Sequence, residues 1–132
     1  MDASTRQLVR ERAGLRCEYC RMPERQSALR FHIEHILPRQ HGGTDAGENL
    51  ALACPEWNLR TGPNLTGIDP DTGVVTRLFQ PRSDRWEEHL ARDGATVSGL
   101  TPVGRTTAWL LEFNAPDRLR WRQLLIDSGQ LD

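Results

Sequence analysis

The feature that most constrains this chain is the spacing of its three cysteines, Cys17-Glu18-Tyr19-Cys20 and then Cys54 far downstream. The N-terminus, MDASTRQLVRERAG, lacks the apolar segment of a secretory signal, and a cytoplasmic protein is expected. Thiols so spaced, in a reducing compartment, read as metal ligands rather than as a disulfide framework. A chain of 132 residues is long enough to bury one core and short enough to gain from a metal staple.

Composition narrows the class without choosing a partner. An apolar fraction of 37% and a charged fraction of 27% describe a folded globular protein rather than a disordered one. No apolar run approaches bilayer length, so no membrane association is expected. The net charge of −1 argues neither for nor against nucleic acid. All 17 basic residues are arginine, which suits bidentate phosphate contact. The same choice extends to positions that look structural, so a compositional bias explains it more simply.

Periodicity and turn chemistry divide the chain. Ser4 or Thr5 is expected to cap a helix running to about Arg16. The alternation Leu29-Arg30-Phe31-His32-Ile33-Glu34 predicts a strand with Leu29, Phe31 and Ile33 inward. Residues 40–45 read as a loop, and Pro55 is placed to open a short helix carrying Trp57 and Asn58. A turn over 69–73 precedes a strand over 74–79. Thr101-Pro102 starts a helix to about Phe113, and Pro116 starts a last one ending near Gly129. Trp109 and Trp121 are expected in the core, and His89 in a packing or capping role.

The chemistry concentrates in Phe31-His32-Ile33-Glu34-His35-Ile36-Leu37-Pro38, then Gly42-Gly43-Thr44, Asn49-Leu50 and Cys54-x-x-x-Asn58. Carboxylate and amide oxygens are ligands for a hard divalent cation. A neighbouring neutral imidazole can take a proton from water near neutral pH. Together these are the parts needed to hydrolyse a phosphodiester with one metal ion.

This stretch resembles the HNH endonuclease family, from Cys17 to roughly Gly62, and the remainder is similar to the extension of stand-alone bacterial HNH proteins. The resemblance implies an α+β fold: a ββα-metal (HNH, or His-Me finger) core over about 15–65, preceded by an N-terminal helix. An α/β C-terminal extension over about 66–132 would complete a single domain. It implies that His35 is the general base and that Asn49 braces the loop and holds the His35 ring. Glu34 and Asn58 would bind the catalytic metal, Mg2+ or Mn2+, with Ni2+ or Zn2+ as further occupants. Arg39, His41 and Arg60 are candidate contacts to substrate phosphates, and His32 shares a strand face with Glu34. The implied substrate is DNA, with RNA as the alternative.

The sequence departs from the family at its zinc knuckle. Two CxxC pairs are usual, but the second here reads Cys54-Pro55-Glu56-Trp57, so a fourth thiolate is missing. Structural zinc sites are four-coordinate and closed. A nearby histidine or carboxylate could complete the shell; alternatively Trp57 fills the space as an apolar plug, and a tightly held structural Zn2+ is then not expected. A second reading of the whole follows: a degenerate HNH fold kept as a DNA-binding or protein-interaction module.

Overall fold

In the computed structural model, which describes residues 1–27, 30–55 and 64–131, short helices and antiparallel hairpins make an α+β chain. Two compact units divide it. One comprises Met1–Leu65 with Gln80–Ser83, the other Thr66–Phe79 with Asp84–Asp132.

The first unit begins with helix α1, Ala3–Arg12. Asp2, rather than Ser4 or Thr5, is its cap, because the Asp2 carboxylate accepts a hydrogen bond from the Thr5 amide at 2.8 Å. The helix stops at Arg12, short of the expected Arg16, because Gly14 and Leu15 both take left-handed backbone, with φ of 66° and 57°. Val9 is its buried residue. Arg10 grips Glu24 through two contacts of 2.9 Å and donates to the Phe31 carbonyl at 3.2 Å, while Glu24 accepts from the Phe31 amide at 2.7 Å. Hydrogen bonds to charged groups contribute about 1.5–3 kcal/mol each, so this clamp fixes where the following strand begins.

That strand, β1, is His32–His35, and it pairs antiparallel with β2, Leu50–Ala53. It is shorter than the alternation predicts. Phe31 is buried just before it, whereas Leu29 lies outside the described residues. Every residue of β2 is buried. Its edge away from β1 is covered as well. The Glu18 carboxylate accepts from the Leu52 amide and the Glu18 amide donates to the Leu52 carbonyl, both at 2.9 Å, while Arg12 donates to the Leu50 carbonyl at 2.6 Å. Arg82 pairs with the other oxygen of Glu18. A hydrophobic strand is thus satisfied on both edges without a third strand.

In the second unit β3, Thr66–Ile68, pairs with β4, Val75–Arg77. Helix α2, Trp86–His89, leads into the hairpin of β5, Leu90–Asp93, and β6, Thr96–Gly99. Helices α3, Pro102–Leu110, and α4, Pro116–Asp127, follow. Thr101 caps α3 as its sequence predicts, accepting from the Gly104 amide at 3.1 Å. His89 does pack and cap: its Nδ1 lies 2.6 Å from the Thr101 hydroxyl and its ring meets the edge of Phe79.

Helix α3 comes so close to β6 and α2 that side chains are excluded. A Cβ on Gly104 would lie 1.8 Å from the His89 carbonyl oxygen, and one on Gly99 would lie 2.2 Å from the Arg105 nitrogen. The inward face of α3 is therefore made of Gly104, Thr106 and Thr107. That corrects one expectation: Trp109 is 68% exposed, not a core residue, because it sits on the face that this approach turns outward. Trp121 is half-buried. Asn114 takes the part of a missing strand, accepting from the Val97 amide and donating to its carbonyl at 2.9 and 2.8 Å.

The β3–β4 turn is organised by one buried carboxylate. Asp69 accepts from the Asp71 amide, the Thr72 hydroxyl and the Arg105 guanidinium, the last at 3.1 and 2.8 Å. The hydrogen bonds from Arg105 come first among the causes that hold its pKa at about 2, below the ordinary 3.8. A depressed carboxylate adds stability above its ordinary pKa and loses it as pH falls through the folded value. Asp69→Asn should therefore melt lower than wild type at neutral pH, with the gap closing between about 3.8 and about 2. Thermal unfolding over a pH series reads this directly, and a gap that stays constant with pH would contradict it.

Candidate metal and nucleic-acid hydrolysis site

The β1–β2 register sets His35 opposite Leu50 and Glu34 opposite Ala51. Leu50 and Ala51 are fully buried, so the carboxylate and imidazole stand at the last two positions of a strand whose partner cannot shift. Glu34 is half-buried, and among the described residues none donates a hydrogen bond to its carboxylate. Burial pushes its pKa up, against the opposing pull of the His32 and His35 imidazoles. A desolvated carboxylate without a donor is well suited to a cation. His32 is exposed.

His35 leads into a loop that folds back on its ring. Its Nε2 lies 2.7 Å from Asp45 Oδ1, and Arg39 donates to that same oxygen at 2.8 Å. The Arg39 Nε is 3.4 Å from His35 Nε2. Hydrogen bonds from His35 and Arg39 hold the Asp45 carboxyl at about 2. Asn49 pins the loop at both ends: its carboxamide oxygen accepts from the Leu37 amide at 2.8 Å, and its nitrogen donates to the Leu37 and Thr44 carbonyls at 3.1 and 2.8 Å. The Asn49 carbonyl also accepts from the Ile36 amide at 2.8 Å. Gly43 is required at the crossing, since a Cβ there would lie 1.7 Å from the Leu37 oxygen. His41 is exposed in the short 3-10 turn Arg39–His41.

The three cysteines come together as their spacing predicts. Cys17, Cys20 and Cys54 are buried, their sulfurs all lie within 4.8 Å of one another, and they form a cluster able to hold a metal ion. Sulfurs on a tetrahedral zinc with Zn–S of about 2.3 Å sit roughly 3.8 Å apart, and the Cys20 and Cys54 sulfurs are 3.8 Å apart. The Cys20 amide points at the Cys17 sulfur at 3.5 Å. Burial, then hydrogen bonds with Cys20 and Cys54, push the Cys17 thiol well above its ordinary pKa. Soft, desolvated sulfurs at this spacing fit zinc better than a hard cation.

Residues 17–63 match the model of the HNH endonuclease family. This stretch is an HNH-family domain. The chain is also 23% identical over 124 residues to the Septu protein PtuB of Bacillus thuringiensis, an alignment covering 92% of this chain and 46% of that protein. The chain thus spans about half the length of the curated relative it matches. No solved structure matches it.

Within the HNH segment the structure brings His35, Arg39 and the Asn49-braced loop to one end of the hairpin, beside Glu34. The ring of His35 is held by Asp45, and the Asn49 carboxamide touches the loop backbone instead. Asn58, Arg60 and Trp57 lie outside the described residues. Asp45 is the site residue that sequence reasoning missed, having been read only as part of a loop. The available signal was an acidic residue directly after Gly42-Gly43-Thr44, where a tight turn returns the chain toward the strand end.

A cluster of three thiolates leaves one tetrahedral position to another donor or to water. Restoring the second CxxC pair with Trp57→Cys should therefore tighten zinc binding, by at least the roughly 10–100-fold that a single lost outer-shell partner costs a metal site. Competition against a chromophoric chelator measures the ratio. Equal affinities would mean that wild type already has a full ligand set.

Proposed function

We propose that this protein is a metal-dependent HNH endonuclease that hydrolyses DNA phosphodiester bonds, with His35 as the general base. The observation that carries this reading is the half-buried Glu34 carboxylate, without a donor among the described residues, next to an imidazole anchored through one nitrogen. The antiparallel β1–β2 hairpin supports this reading as the ββ part of a ββα-metal core.

Glu34 and Asn58 would hold the divalent cation, Mg2+ or Mn2+. Bound there, the cation would neutralise negative charge on the scissile phosphate and on the leaving oxygen. His35 takes a proton from the attacking water. The water oxygen bonds to phosphorus as the bond to the 3′ oxygen breaks, and that oxygen is protonated from solvent. Asn49 keeps the loop closed over the strand end. Arg39, fixed by Asp45, offers its guanidinium to a phosphate oxygen, with His41 and Arg60 as further contacts. With three sulfurs as its ligands among the described residues, the knuckle would hold a structural zinc less tightly than a four-thiolate site.

A supercoiled-plasmid nicking assay with Mg2+, Mn2+ or chelator tests this reading. Wild type should nick only with added metal, and His35→Ala should lose about 10²–10⁴-fold in rate, the usual loss on removing a general base. Metal-dependent nicking at the wild-type rate by His35→Ala would contradict the mechanism. DNA binding without cleavage at any metal concentration would favour the degenerate-fold reading.

A further inference from the structure

We propose that Asp45 is a positioning residue that selects which nitrogen of His35 acts as the base. This inference rests on the proposed general-base role of His35 and names the group that makes the role possible.

The geometry leaves little freedom for the proton. At 2.7 Å, Nε2 of His35 and Oδ1 of Asp45 cannot both present lone pairs to each other, so a proton lies between them. Asp45 is strongly acidic, being tied to both the imidazole and the Arg39 guanidinium, and so stays an ionised acceptor. The proton therefore belongs to Nε2. Arg39 Nε–H also points at that nitrogen, but at 3.4 Å this contact is much longer than the 2.7 Å bond to Asp45, and the guanidinium makes its own 2.8 Å contact to the same carboxylate oxygen. Nδ1 of the neutral ring is then the unprotonated nitrogen. Among the described residues it has no hydrogen-bond partner, which leaves it open to water.

The carboxylate does two things at once. It selects the Nε2–H tautomer, so that the lone pair needed to accept a proton is on Nδ1, and it stabilises the imidazolium formed when that proton arrives. Neither effect needs Asp45 to touch substrate. Its place after Gly43, whose backbone passes against the Leu37 carbonyl, brings the carboxylate back to the ring of a residue ten positions earlier.

The test pairs a spectroscopic signature with kinetics. Long-range 1H–15N correlation of the wild-type His35 ring at about pH 8, where an ordinary imidazole is neutral, should report protonated Nε2 and bare Nδ1. Asp45→Ala should give a mixed tautomer and lower kcat by roughly 10–100-fold, the usual cost of losing a partner that orients a site residue. Metal affinity should stay unchanged, and KM should rise by a smaller factor than kcat falls, because Asp45 also holds Arg39. Asp45→Asn, whose carbonyl oxygen can still accept from Nε2, should retain the tautomer and recover part of the rate. At saturating substrate the double variant His35→Ala/Asp45→Ala should have a kcat no lower than that of His35→Ala alone, because the effect of Asp45 on the chemical step acts through that ring.

A wild-type ring protonated on Nδ1 would overturn the proposal, as would additive losses in the double variant. So would an Asp45→Ala rate within twofold of wild type. If the ring signature depends on Asp45 but no form of the protein cleaves nucleic acid, the positioning geometry stands and the nuclease reading fails.

Discussion

The antiparallel register between His32–His35 and Leu50–Ala53 is the constraint on which the rest of the site depends. The side-chain period of a strand is two, so a slip of one residue would turn Glu34 and His35 to the opposite faces. Burial of all four β2 residues forbids that slip, since Leu50 and Leu52 would lose their fully enclosed positions. Glu18, Arg12 and Arg82 add a second lock on the far edge of β2, which ties the Cys17–Cys20 turn to the same strand that registers the site. Scaffold and site in this unit are therefore one network.

Two chemically different sets of donors are kept apart within that network. The thiol cluster is buried and soft, and desolvation raises the cost of the Cys17 thiolate. A metal bound there takes thiolates, so its binding releases protons. Glu34 is a single half-buried carboxylate at the strand end, a donor type that suits a hard cation. The first arrangement suits a staple, and the second suits a cation that must share its shell with a phosphate. The clamp of Arg10 and Glu24 on Phe31 and the capping of β2 by Glu18 carry part of the structural load independently of any metal.

Much of this was legible in the sequence where local chemistry decides. The CxxC turn, the Thr101-Pro102 and Pro116 helix starts, and the Glu34-His35 strand end follow from residue type and spacing, and the structure has each of them. What escaped was decided by tertiary approach. Trp109 reads as core in any count of apolar residues, yet the contacts of Gly99 and Gly104 fill the inner face of α3 with backbone and threonine, leaving the indole outside. The β5–β6 hairpin was invisible because Arg92, Asp93, Thr96 and Ser98 give little apolar alternation, and Asn114 supplies one edge with a side chain instead of a strand. Asp45 was missed for a similar reason: nothing local links it to His35, and only the loop closure at Gly43 and Asn49 brings the two within hydrogen-bond distance.

The account turns on Glu34 being the protein's anchor for the catalytic cation rather than a solvated strand-end carboxylate. Calorimetric titration of Mn2+ into wild type and Glu34→Gln, with zinc removed and the fold verified by circular dichroism, measures this without requiring cleavage. The expected result is one Mn2+ site per chain in wild type, with affinity lowered at least tenfold in the variant, since it removes the charged one of two protein oxygen ligands. Equal Mn2+ affinity in the two proteins would contradict the account and place the cation elsewhere.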